Sequence, residues 1–242
     1  MGFAKVRLFV DQPLGPGQPV ALSQDQAHYL VSVMRLSAGA QVLVFNGRDG
    51  EWRARLDQAG RRQATLVAEE KTAPLRLPPD LWLVFAPLKK ARTDFIVEKA
   101  TELGVARILP VQTRFTNADR IKADRLQAHA VEAAEQCGGT FVPVVEDLQP
   151  LDRLLDRWPE GRRLMWCDEH LAGRAAALPG GKAAGPWAIL IGPEGGFAEA
   201  EQARIRSMSG VTPVSLGPRI LRADTAAVAA LTLWQAVLGD WG

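Results

Sequence analysis

The sequence predicts an α/β protein of two domains: a small β-rich domain over residues 1–72 and a larger domain over 81–242 built on a parallel sheet. Three observations predict it. Short β-type runs crowd the first 72 residues. Pro74, Pro78 and Pro79 then interrupt the chain. Beyond residue 80, apolar runs without polar alternation lead repeatedly into helical patterns. With 47% of its 242 residues hydrophobic, the chain can bury real cores, which argues against disorder.

In the first domain the β-type runs fall at 7–10, 41–45, 51–56 and 63–68, and Asn46-Gly47-Arg48-Asp49-Gly50 between two of them is a hairpin signal. Ser23 and Gln26 form a capping box ahead of a helix over 27–34, with Leu30, Val31 and Met34 at helical spacing. The expected product is a small β-barrel carrying one helix. Residues 73–80 read as a linker. The second domain then alternates. Strands are expected at 81–86, 106–111, 141–145, 164–167, 187–191 and 211–216; helices at 93–103, stopped by Gly104, and at 118–136, 151–158, 198–208 and 225–238. Gly180-Gly181-Lys182-Ala183-Ala184-Gly185 reads as a flexible surface loop, since no Lys-Ser/Thr pair leads it into a helix.

Charge and cysteine usage narrow the classes. The chain has 29 Lys+Arg against 27 Asp+Glu, a net charge of +2. Residues 1–72 hold nine basic and seven acidic side chains and the remainder is balanced, so any nucleic-acid contact must be local rather than a basic tail. No apolar run approaches a membrane span, and the N-terminus lacks a secretory pattern, so no membrane association and a cytoplasmic location are expected. Cys137 and Cys167 stand alone and the three histidines are scattered, which supports neither a disulfide framework nor a metal site.

Three stretches could carry chemistry. Ile189-Leu190-Ile191-Gly192-Pro193-Glu194-Gly195-Gly196-Phe197 is an apolar strand entering a Gly/Pro turn ahead of a helix. A ligand can approach backbone there, although on spacing alone a tight strand-to-helix turn fits as well. Leu216-Gly217-Pro218-Arg219-Ile220-Leu221-Arg222-Ala223-Asp224-Thr225 also follows a strand and opens a helix. Arg219 and Arg222 flank apolar residues within it, a pattern that suits an anion as well as a solvated loop, while Asp224 or Thr225 can cap the helix. Lys89, Lys90 and Arg92 lead into the helix at 93–103. Cations at a helix N-terminus oppose its macrodipole, so an anionic partner would explain them. In the first domain Arg7, Arg35, Arg48, Arg53 and Arg55 include alternating strand positions, compatible with an RNA-facing sheet or with ordinary solvated strand faces.

Four segments, EKATELGV at 98–105, EAAEQCGGTFVP at 132–143, LIGPEGGF at 190–197 and LGPRILRADTA at 216–226, resemble in order and spacing the RsmE family of the SPOUT superfamily. The resemblance covers nearly the whole chain. It implies a PUA-like N-terminal domain, a C-terminal domain with a deep trefoil knot, S-adenosylmethionine bound in the knot, and a homodimer. The implied reaction is methylation of N3 of a uridine, U1498, in 16S rRNA of the 30S subunit. Two positions depart from the family pattern. Gly139 stands where Arg is common, and Asp224 where Glu is usual.

On that resemblance the cofactor pocket would use Leu190, Gly192, Pro193, Gly195, Gly196, Leu216, Gly217, Ile220 and Leu221. Uridine N3 must lose its imide proton and the resulting anion must be held in place. Arg222 is assigned to stabilising the uracil anion or fixing the target nucleotide, and Glu194 or Asp224 to accepting the proton, directly or through water. RNA contacts are assigned to Arg7, Arg35, Arg48, Arg53, Arg55, Lys89, Lys90, Arg92 and Arg219. The apolar stripe of the last helix makes it the expected dimer surface, although Trp234 and Leu238 could complete a partner's core as readily as their own. Without the resemblance, a small-molecule α/β transferase or a non-catalytic RNA-binding module would also suit the pattern.

Overall fold

The computed structural model describes residues 6–118, 121–173, 178 and 185–241; all of the expected 180–185 loop except Gly185 lies outside them. The chain forms two compact units, one of residues 1–77 with 134–142 and one of 78–133 with 143–242. The expected 73–80 linker is therefore divided between them. The return of 134–142 to the first unit has no signature in local composition.

The first unit contains β1 (Arg7–Phe9), β2 (Pro19–Ala21), α1 (Gln24–His28), β3 (Gln41–Phe45), β4 (Glu51–Ala59) and β5 (Ala64–Ala73). The sheet order is β1-β3-β4-β5-β2, with β1 parallel to β3 and the other neighbours antiparallel. Among the described residues β1 and β2 are the edges of a curled sheet, the coarser form of the small β-barrel expected. Strand periodicity decides its faces: Trp52, Ala54 and Leu56 of β4 and Ala64, Leu66 and Ala68 of β5 enter one core with Val20, Leu30, Val42 and Val44. The β3–β4 turn is an Asx turn in which Asn46 Oδ1 accepts the amides of Arg48 (3.0 Å) and Asp49 (2.8 Å). The Leu14 amide and then the Asn46 side chain hold the Asp49 carboxyl below its ordinary pKa.

Ser23 caps α1 through the expected capping box, but the α-helix ends at His28 and Tyr29–Val33 wind as a wider π turn. That turn buries Leu30 and leaves Tyr29, Val33 and Met34 exposed. Over so few residues, i+4 and i+5 spacing cannot be told apart from the sequence.

Arg7 does not belong to an open surface. Its Nε pairs with Glu51 at 2.7 Å, and its Nη atoms donate to the carbonyls of Ala134 (2.7 Å), Glu135 (2.9 Å) and Gly139 (2.9 Å). With its side chain only 12% exposed, this cation closes a helix C-terminus, which corrects its assignment to RNA. Gly139 contributes only its carbonyl. A Cβ there would meet the nearest atom, Cys137 Sγ, at 3.4 Å.

The second unit contains β6 (Leu81–Phe85), α2 (Lys90–Glu102), β7 (Arg107–Gln112), most of α3 (Ala123–Cys137), β8 (Val144–Val145), β9 (Gln149–Pro150), α4 (Leu151–Asp156), β10 (Arg163–Cys167), β11 (Trp187–Ile191), α5 (Glu199–Ser207), β12 (Val211–Val214) and α6 (Ala223–Val237). The sheet order is β12-β10-β11-β6-β7-β8, with β9 also on β7, and every pairing is parallel. Central β6 and β11 are buried along their whole length, as their unbroken apolar runs require. The expected strand at 141–145 shrinks to Val144–Val145, because 141–142 belong to the first unit. Gly104 ends α2 at φ +74°, and the buried Gln235 of α6 donates to the Leu103 carbonyl at the end of that helix at 2.7 Å.

Ala227, Leu231, Trp234 and Leu238 are buried in this unit's own core, with Trp234 edge-on to Trp187 at 6.5 Å between ring centroids. The apolar stripe is therefore not an open dimer surface. Among the described residues no helix is long and apolar enough to cross a membrane.

Candidate active site

Adjacent strands β11, β10 and β12 send their C-terminal ends to one edge of the sheet, the usual ligand position in parallel α/β sheets. The segments that follow them line a cavity of about 280 Å3. Two of these are the Gly/Pro loops singled out in the sequence. The third, from Trp166 to Ala172 at the end of β10, has no glycine motif, and only a row of polar residues after an apolar strand marks it.

In the first loop Gly192, Pro193 and Gly196 line the cavity, whereas Leu190 and Gly195 do not. Leu190 lies in the sheet core in register with Trp166, and a Cβ on Gly195 would meet Phe115 Cβ at 3.2 Å. A Cβ on Gly192 would come within 2.7 Å of the Phe197 ring, and one on Gly196, held at φ +71°, would run into the Glu169 carboxylate. The Gly196 amide donates to the Pro193 carbonyl at 3.0 Å, so this segment is both a tight turn and a cavity wall.

The second loop contributes Leu216, Gly217, Arg219, Ile220, Leu221 and Arg222 to the lining. Ile220 is 73% exposed. Arg219 and Arg222 are also exposed, and neither has an ion-pair or side-chain hydrogen-bond partner among the described residues. Arg222 rather than Asp224 is the N-cap residue of α6, so the expected Asp224 cap is not formed. Asp224 sits in the first helical turn, where a carboxylate favours the macrodipole.

The three sequence motifs meet at Arg92. Its Nη1 bonds Glu194 of the glycine loop, and its Nε lies 3.6 Å from Asp224 Oδ2. The anion expected beside this basic cluster is thus supplied by the chain itself, and Arg92 is an internal tie rather than a free phosphate ligand. Lys89 and Lys90 remain exposed, without an ion pair among the described residues.

The third segment carries its own charge system. Asp168, with a 5% exposed side chain, accepts the His170 amide (3.1 Å) and His170 Nδ1 (3.0 Å) on Oδ1 and the Arg206 guanidinium (3.3 Å) on Oδ2. It caps a 3₁₀ turn, Glu169–Leu171. The Gly173 amide donates to the Gly217 carbonyl at 3.0 Å, tying this segment to the arginine loop. Neighbouring Cys167 is desolvated, which pushes its thiol up to about 12 and keeps it protonated at neutral pH.

In the first unit Arg53 and Arg55 point outward from β4, but each is compensated: Arg53 by Glu70 across the sheet, and Arg55 by Glu69 across the sheet at 3.0 Å and by Asp57 on its own strand at 2.9 Å. Arg48 donates to the Asp11 carbonyl. Arg35, at φ +55°, is exposed and has no such partner among the described residues.

Comparison with known proteins divides the chain into the same two parts. A family model for an RNA methyltransferase domain matches residues 75–235, and one for an RNA methyltransferase PUA domain matches residues 22–69. The chain is similar over 93% of its length to ribosomal RNA small subunit methyltransferase E of Rickettsia conorii, at 27% identity and 93% of that protein's length. It is 32% identical to the protein of that name from Synechocystis, over 90% of this chain and 73% of that one. Its fold superposes with a TM-score of 0.87 on a ribosomal RNA small subunit methyltransferase E from Neisseria gonorrhoeae bound to S-adenosyl methionine, at 28% identity, covering 98% of this chain and 99% of that one. The fold and site thus define an RNA methyltransferase domain joined to a PUA domain. Within that class, the chain belongs to the ribosomal RNA small subunit methyltransferase E family.

Proposed function

We propose that this chain transfers the methyl group of S-adenosylmethionine to N3 of a uridine, U1498, in 16S rRNA. It acts as a homodimer on the 30S subunit in the cytoplasm, with its C-terminal domain in a deep trefoil knot. The observation that carries this reading is the cavity where three adjacent strand ends meet, bearing Arg219 and Arg222, neither paired among the described residues, beside a glycine-walled turn.

The cavity fits the cofactor in chemistry. Its volume of about 280 Å3 lies at the lower bound of small-molecule pockets, roughly 300 Å3. Ile191, Phe197, Leu216 and Leu221 give it apolar walls suited to a purine, and the backbone at Gly192, Gly196 and Gly217 is open to polar atoms. Bound there, the cofactor supplies an electrophilic methyl on a sulfonium. The protein's own task is to align the uracil and hold its negative charge. Arg222, with no side-chain partner to surrender among the described residues, stabilises that anion, and Arg219 takes a phosphate. Glu194 and Asp224 hold Arg92, so a proton on either would cost that ion pair; their role is to fix the glycine loop to α6.

Calorimetry with S-adenosylmethionine and S-adenosylhomocysteine should show one site per chain. No heat with either at millimolar concentration would refute the reading. The substrate is checked by mass spectrometry of 16S rRNA after incubation with 30S subunits from a strain lacking the modification. In the same titrations Gly196→Val should weaken cofactor binding about tenfold or more. A β-branched residue at that positive φ costs about 1–3 kcal/mol and displaces Glu169; unchanged affinity would remove the loop from the site.

The PUA domain's part is RNA affinity through phosphates. Because Arg53 and Arg55 are already compensated, Arg35→Ala should weaken RNA binding more than either Arg53→Ala or Arg55→Ala. It should also flatten the slope of log K against log salt by about 0.7–0.9, the amount that follows from leaving one phosphate without its cation. An unchanged slope would exclude Arg35 from the interface.

A further inference from the structure

The methyl-transfer reading requires an acceptor for the imide proton, and the carboxylates Glu169 and Glu194 and the imidazole of His170 all lie in the cavity lining. Glu194 and Asp224 are tied to Arg92, and Cys167 holds its own proton. Asp168 is buried and already accepts three hydrogen bonds. One titratable group in the lining is built differently. His170 is 59% exposed and, among the described residues, only its Nδ1 has a protein partner. A carboxylate can only accept, so the 3.0 Å contact between Nδ1 and Asp168 Oδ1 places the proton of the neutral ring on Nδ1, and the Nε2 lone pair has no partner among the described residues. The orienting carboxylate is itself fixed by the His170 amide and by Arg206, whose guanidinium also lies over the Trp166 ring at 5.0 Å.

We propose that the Asp168–His170 pair is the proton acceptor of the reaction, with His170 as the catalytic base and Asp168 as its positioning residue; this rests on the methyl-transfer reading above. The imide N–H bond breaks with its electron pair left on N3, and the proton bonds to the Nε2 lone pair, directly or through one water. The imidazolium formed is balanced by the Asp168 carboxylate, and the proton passes to solvent after turnover. The same hydrogen-bond logic orients histidine in catalytic triads. The Gly173–Gly217 bond holds this base beside the loop that carries Arg222, so proton removal and anion stabilisation are anchored to each other. The other charged groups of the cavity are Glu169, Glu194, Arg219 and Arg222.

The test uses the full chain with 30S subunits from a strain lacking the modification. His170→Gln should slow single-turnover methylation by about 10²-fold or more, while S-adenosylhomocysteine affinity stays within twofold. The wild-type rate should rise with pH through an imidazole ionisation, and the variant should lose that limb. Histidine 15N chemical shifts give a readout independent of activity: His170 should report the Nδ1–H tautomer in the wild type and lose it in Asp168→Asn. Turnover of His170→Gln within threefold of wild type, or a wild-type Nε2–H tautomer, would overturn the base assignment alone. A wild-type chain that neither binds S-adenosylhomocysteine nor methylates rRNA would overturn the methyltransferase reading and this proposal with it.

Discussion

Arg222→Ala should reduce single-turnover methylation by about 10²–10³-fold, the loss seen when one preorganised donor to a developing anion is removed. The substitution isolates that role because the side chain makes no polar contact among the described residues. Arg222 is exposed, makes no side-chain cap and has no ion pair among the described residues; only its backbone carbonyl serves α6, accepting the Ala226 amide at 2.7 Å. Thermal stability and S-adenosylhomocysteine affinity should therefore hold. An interaction that strengthens as charge develops lowers turnover far more than it weakens RNA binding. Arg222→Lys should fall between the two, since a point charge replaces a planar fork. A rate within threefold of wild type for Arg222→Ala would exclude it from the chemistry.

The unequal legibility of the site follows from how its parts are encoded. The glycine loop and the arginine loop carry local signals, because glycine and proline mark turns whatever surrounds them. The Asp168–His170 segment does not. Its importance depends on β10 lying between β11 and β12, and strand order is absent from periodicity. The row of polar residues after β10 becomes informative only once that strand end is placed in the cavity wall.

Arginine misleads for a related reason. The basic run before α2 calls for an anion, and that inference holds for Arg92; the anions are Glu194 and Asp224, more than a hundred residues away in sequence. Arg7 likewise has its partners elsewhere: three carbonyls at and just past the end of α3 accept from it, and Glu51 of β4 pairs with it. A strand arginine that faces RNA and one that caps a distant helix look alike in one dimension. The strands themselves are well marked, because β4 and β5 alternate cleanly while β6 and β11 are apolar throughout.

Trp234→Ala should destabilise the protein by about 3–5 kcal/mol, the range for removing a fully buried large aromatic side chain. Trp234 is 1% exposed and meets Trp187 edge-on, a geometry that adds about 0.5–1.5 kcal/mol to simple burial. With a shift of about 2–4 °C per kcal/mol for a unit of this size, the midpoint of thermal unfolding should fall by roughly 6–20 °C. Trp234→Phe should cost far less: it keeps most of the ring and removes an indole N–H that is buried without a partner among the described residues. A shift of less than about 2 °C for Trp234→Ala would contradict the burial. The same packing changes what a charged substitution can report. Trp234→Glu would put a carboxylate into this core, so a lost dimer would register unfolding rather than an interface. If α6 mediates the proposed dimer, exposed Thr232 is the place to look. Thr232→Arg should then yield a monomer by light scattering while the midpoint of thermal unfolding, followed by tryptophan fluorescence, is retained; a dimer of unchanged mass would move the interface off this helix.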